Sequence, residues 1–190
     1  MKLNLDQTVP AGTLLVAAIA ARGQTPTTVI DKKDNLWVRD VEVNNSSNTT
    51  VVAIFHSTLT TALNNGNEIT ASVTTANGQL RKLAVFRLDG LTMHDQSGSA
   101  MTTGTSAVVT TSGPVASPTQ LMIGVVATGF NTADSYIPSA GFTEVHEFGS
   151  SFSSGCFDTK LTKTASGVQT MSVGTSFETA NYAVVLSTYR

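Results

Sequence analysis

The chain has 190 residues, 41% of them apolar and only 13% charged, with a formal charge of −2. That length suits one domain, the acidic balance excludes the clustered basic surface of an electrostatic nucleic-acid binder, and the single cysteine, Cys156, excludes an intrachain disulfide framework. Charge is about half the ~25% of ordinary domains; the polar surface comes instead from 30 Thr and 19 Ser, and β-branched Thr favours strands over helices.

In chain order, Lys2, Asn4 and Asp6 alternate with Leu3 and Leu5, which predicts a strand with one wet face. Asp6 also interrupts the apolar run that an export signal requires, so the start reads as cytosolic synthesis without signal-directed secretion. Residues 13–21, 51–55 and 183–186 are nearly continuous apolar runs. They are far shorter than the ~20 residues of a membrane span and read as central strands covered on both faces. A buried helix over 14–21, capped by Gly12 and Thr13 and stopped by Gly23, is the competing reading. The flanking Val9-Pro10 and residues 27–30 look like strand boundaries, which favours the strand.

Asn65-Gly66, Asn77-Gly78 and Asp89-Gly90 recur at equal spacing. Such pairs suit the positive φ of tight turns, so 51–59, 68–74 and 80–88 are predicted to form an antiparallel meander. Leu121, Ile123, Val125 and Ala127 share one face of a later strand, and 168–173 alternates in the same way. The looser stretches 93–106 and 129–141 bring no change of composition. The prediction is one all-β sandwich domain over 1–190.

Chemistry-bearing patterns are sparse. His56, His94 and His146 stand outside any zinc-ligand spacing and read as strand or loop residues with satisfied rings. Asp31-Lys32-Lys33-Asp34-Asn35 lacks the ligand alternation and closing Glu of a calcium loop and reads as a charged hairpin tip. Asp134 and Asp158 look isolated, and Glu144 and Glu147 fall out of phase along a presumed strand, so no facing carboxylate pair emerges. There is no Gly-x-Ser-x-Gly element, and Cys156 reads as a small apolar core residue. Asn44, Asn45 and Asn48 open Asn-x-Ser/Thr triplets that read as chance in a Ser/Thr-rich turn. No catalytic, cofactor or metal residue is assigned. Two surface candidates remain. Trp37 and Arg39 would share one side of a strand and could meet a sugar. Phe130, Tyr136, Ile137 and Pro138 lie on a segment that reads as loop, where apolar side chains suit an interface.

Four segments taken together carry a family resemblance. Residues 9–23 (Val-Pro-Ala-Gly-Thr-Leu-Leu-Val-Ala-Ala-Ile-Ala-Ala-Arg-Gly) resemble the opening strand pair of a β-sandwich family of tailed-bacteriophage virion proteins and some large bacterial surface proteins. Residues 83–91 resemble its middle strand, 120–127 a later core strand and 181–189 the closing strand. The resemblance implies a jelly-roll-like antiparallel sandwich of two sheets without a catalytic centre. It also implies a non-enzymatic structural role in the virion, as a capsid (head) decoration protein or a minor tail or fibre protein. Partners would be the major capsid protein, tail proteins or further copies in a multi-copy array, with no nucleic acid, no membrane insertion and no cofactor; the chain would be made in the host cytoplasm. Two rivals make different demands. A carbohydrate- or cell-surface-binding module needs Trp37, Tyr136 and Tyr182 accessible and roughly coplanar. An enzyme of the sandwich type needs carboxylates or histidines converging in a cleft.

Overall fold

The computed structural model describes residues 1–46, 49–74, 81–129, 136–150, 153–162, 165–175 and 179–190. The described strands of the N-terminal half are β1 (Lys2–Asn4), β2 (Leu14–Arg22), β3 (Gln24–Asp31), β4 (Val38–Asn45), β5 (Thr50–Thr58), β6 (Glu68–Thr74) and β7 (Arg81–Leu88). Those of the C-terminal half are β8 (His94–Gly104), β9 (Ser106–Thr110), β10 (Gln120–Thr128), β11 (Tyr136–Pro138), β12 (Thr143–Ser150), β13 (Ser153–Thr162), β14 (Thr170–Thr175) and β15 (Ala180–Tyr189). Every paired strand is antiparallel, and no helix occurs among the described residues. The strands expected from the Thr-rich composition form, and they build the all-β antiparallel sandwich expected from their spacing.

Where two sheets were expected there are four, in orders β1-β6-β3, β4-β5-β2-β7, β12-β13-β10-β15-β8 and β11-β14-β9. Three apolar interlayers order them into a stack. On β2, Leu15, Ala17 and Ile19 meet Val29, Ile69 and Ala71 of the first outer sheet. The alternate residues Leu14, Val16, Ala18 and Ala20 meet Ile123, Val125, Ala127 and Val185 of the facing inner sheet. Beyond it, Met122, Val126, Val184 and Leu186 pack on Val109, Met171 and Val173 of the second outer sheet. An inner strand of such a stack has two dry faces, which explains the unbroken apolar runs at 14–21, 51–55 and 183–186. Outer strands such as β14 have one dry face and alternate. Each fully buried aliphatic side chain contributes ~1.5–3 kcal/mol, and residues 14–21 form a strand because two sheets can bury it from both sides.

The two halves repeat one another. Ala17 on β2 pairs with Phe55 of β5 and Val85 of β7; in the same register Gly124 on β10 pairs with Asp158 of β13 and Leu186 of β15. A one-residue bulge interrupts β4 between Arg39 and Val41, and β12 between Glu144 and His146, at equivalent positions. Both halves also share one hydrogen bond that joins their outer to their inner sheet. Glu42 Oε2 accepts the Thr27 N–H at 2.7 Å, and Glu147 Oε2 accepts the Tyr136 N–H at 3.4 Å. Strand β8 is extra, an added edge on the second inner sheet.

The predicted meander does not form. β5 and β7 flank β2 in an inner sheet, while β6 lies between β1 and β3 in the outer one, so the chain crosses layers at each connection. Gly66 and Gly90 do hold positive φ, 79° and 78°, but they turn the chain between layers instead of closing hairpins; Asn77-Gly78 lies outside the described residues. The Asp31–Asn35 segment likewise links an outer to an inner sheet and is no hairpin tip.

Candidate functional site

Ionisable side chains converge at the seam between the halves. Asp40 is the extra residue of the β4 bulge, and bulges re-aim side chains; here the carboxylate is only 1% exposed. Its Oδ2 accepts the Tyr189 hydroxyl at 2.6 Å and its Oδ1 lies 2.5 Å from His56 Nδ1. His94 Nδ1 stands 3.8 Å from the same Oδ1. The two imidazoles stack at 5.8 Å with 14° between planes, and Tyr189 meets His94 edge-on at 5.7 Å. A second irregularity, between Ser187 and Tyr189, sets Tyr189 opposite His94. The main-chain carbonyl of Asp40 also accepts the Ser97 hydroxyl at 3.1 Å. Asp40 and His56 come from the N-terminal half, and His94, Ser97 and Tyr189 from the C-terminal half. The cluster is therefore a polar clasp across a mostly apolar interlayer, which Asn45 Nδ2 also crosses to the Tyr182 carbonyl at 3.2 Å.

Its electrostatics follow from enclosure. Burial holds the His94 pKa below the usual imidazole value, with the nearby Asp40 charge opposing the shift. Burial, then the Asp40 charge, pushes the Tyr189 phenol well up, so Tyr189 is a neutral donor at all physiological pH. The Asp40 carboxylate on Nδ1 orients the His56 ring. No hydroxyl or thiol is hydrogen-bonded to His56 Nε2 among the described residues, and His94 Nε2 is buried without a partner there. Asp40 thus orients the His56 ring and clamps Tyr189 to the opposite half.

A second group, Glu144, Cys156 and Asp158, lies in the other half, between inner and outer sheets. The bulge at Val145 shifts the strand phase, so Glu144 stands opposite Asp158 and Glu147 opposite Cys156, all on one face. The out-of-phase reading of the two glutamates is thereby corrected, and Asp158 is not isolated. Cys156 donates to Asp158 Oδ2 at 3.5 Å. Burial raises Asp158 to about 6, pushes the Cys156 thiol up, and, with Glu147, raises Glu144.

The surface candidates fall as follows. Trp37 precedes β4, half-buried against the first outer interlayer, and its Nε1 donates to Asp31 Oδ2 at 2.9 Å. Arg39 is exposed and bonds Glu42 Oε1 at 3.1 Å. Tyr136 is buried, its hydroxyl shared with Thr128 and Ser154, and Tyr182 is fully buried. The accessible trio a glycan platform demands is absent. Ile137 is exposed and Pro138 half-buried, while Phe130 lies outside the described residues. A concavity of about 270 Å³ between β1 and β7 is lined by Leu3, Leu5, Val9, Leu15 and Val85 with Asp6 and Arg87 beside them, and by no residue of either ionisable group. Asp40, His94 and Tyr189 escaped sequence reading because their convergence depends on two strand irregularities and on which sheets face each other. Compared with known proteins, the chain matches no family model, no curated protein and no solved structure.

Proposed function

We propose that this chain is a structural, non-enzymatic subunit of a bacteriophage virion, a capsid decoration protein displayed in many copies. The observation that carries the reading is a pair of apolar edges at equivalent places in the two halves. In the first, Ile30, Leu36 and Val38 are exposed, Leu36 by 75%, along the free edge of β3 and β4. In the second, Ile137 and Val145 are exposed along the free edge of β11 and β12. β4 packs against β8 and β15, at the end of the inner sheet away from β12, so the two edges lie on opposite sides of the stack. A subunit with contact strips on opposite sides suits repeated head-to-tail neighbours in a lattice. Unpaired strand edges bearing apolar side chains are docking templates, and each such site buries ~800 Å² per partner when it follows standard interfaces. With so little charge, such binding depends only weakly on salt.

Enclosure of the clasp, where the Asp40 carboxylate is 1% exposed and Tyr189 is fully buried, supports the same reading over the enzyme alternative. Quantitative mass spectrometry of purified virions tests it. Copy number comparable to the major shell protein is expected; a few copies per particle would place the chain in the tail, and absence from particles would overturn the proposal.

A further inference from the structure

We infer that Glu144, Cys156 and Asp158 form a mononuclear binding site for a thiophilic divalent cation of the Zn²⁺ type. One ligand atom from each of the three residues lies within 4.8 Å of the others. The Cys156 Sγ to Asp158 Oδ2 separation is 3.5 Å. A tetrahedral centre with a metal–sulfur distance near ~2.3 Å and a metal–oxygen distance of ~2.1 Å requires a sulfur–oxygen edge of about 3.6 Å. The Cys156–Asp158 edge is thus nearly spaced for the metal, and Glu144 lies within reach of both.

A second observation points to a ligand. Asp158 is 0% exposed, and its Oδ1 has no hydrogen-bond partner among the described residues. Buried carboxylate oxygens are normally satisfied. Directly opposite stands Glu144, so two carboxylates face each other across a strand pair, an arrangement that repels unless a proton or a cation intervenes.

The fold itself does not ask for these residues. In the N-terminal half the equivalent places hold Arg39, Ala53 and Phe55, since Ala53 pairs with Ile19 and Phe55 with Ala17 as Cys156 pairs with Val126 and Asp158 with Gly124. Ala53 and Phe55 are apolar core there. The C-terminal half thus spends a buried thiol and a buried carboxylate where its twin packs hydrocarbon. Glu144, half-buried at the rim, supplies the route from solvent. Three protein ligands leave the fourth position for water. Binding displaces the Cys156 thiol proton to solvent and puts a thiolate on the cation, so affinity rises with pH.

Titration of the full chain with Co²⁺ as a spectroscopic stand-in, followed by Zn²⁺ competition, tests the proposal. One Co²⁺ per chain with a thiolate charge-transfer band is expected, displaced by Zn²⁺, with tighter binding at pH 8 than at pH 6.5. Cys156→Ala reproduces the residue found in the twin half and is therefore suited to fold; it should abolish the band. Asp158→Asn should weaken binding at least tenfold with its circular dichroism unchanged. No thiolate band from the folded wild-type chain at pH 8, or a band that survives in Cys156→Ala, would overturn the assignment.

Discussion

Asp40→Ala tests the clasp between the halves. Two donors lose their acceptor. Tyr189 is fully buried, and a hydrogen bond to a charged group contributes ~1.5–3 kcal/mol, with a buried donor left unmet costing about as much. The His56 side chain keeps 20% exposure, so water can recover part of its loss and its share is ~1 kcal/mol. The expected cost is about 3 kcal/mol, against a total stability of ~5–15 kcal/mol. In a chain of this size that corresponds to a fall in Tm of roughly 6–12 °C. Tyr189→Phe alone should cost ~1.5–3 kcal/mol. Because the two residues share one bond, the double variant should fall short of the sum by at least ~0.5 kcal/mol. Urea unfolding followed by both fluorescence and circular dichroism reads all three values and tests whether the halves unfold together. Additive losses, or an Asp40→Ala loss below ~0.5 kcal/mol, would refute the clasp.

The other predictions concern the titrating groups, one glycine and the apolar edge. His94 has a folded pKa below its unfolded value of 6.5, so the native state disfavours its proton. Stability should fall as pH drops below ~6.5, and His94→Gln should flatten that limb of a pH series of urea midpoints. Asp158 shifts the other way, from 3.8 to about 6: its native state keeps the proton longer, so metal-free stability should decline as pH rises across that interval. Asp158→Asn should recover up to about 3 kcal/mol at pH 7 in chelator. A Cβ at Gly155 would collide with the Val126 carbonyl oxygen and the Phe148 ring, and because the nearer obstacle is backbone, Gly155→Ala should cost at least ~2 kcal/mol. Leu36→Asp at the exposed edge should leave the urea midpoint within about 0.5 kcal/mol of wild type, yet abolish incorporation into particles; unimpaired incorporation would remove that edge from the docking surface.

What the sequence revealed, and what it withheld, divides along a physical line. Burial on two faces leaves a one-dimensional trace, so the runs at 14–21, 51–55 and 183–186 announced inner strands, and alternation at 168–173 announced an outer one. The repeat of the two halves left almost no trace, because it is held in register and bulge position while the side chains differ: Phe55 faces an apolar interlayer where Asp158 occupies the equivalent place. Connections of unequal length also shift the offset between equivalent strands, so no fixed period appears. Both ionisable groups depend on those bulges. An inserted residue breaks the strict two-residue alternation on which strand reading rests. It turned Asp40 toward Tyr189, and it brought Glu144 and Glu147 onto one face after alternation had placed them on two. The same insertion has opposite consequences in the two halves: β8 and β15 cover Asp40, while Val145, its counterpart, stays exposed on the free edge of β12. One shared irregularity thus serves as an internal fastening in the first half and as part of an open edge in the second.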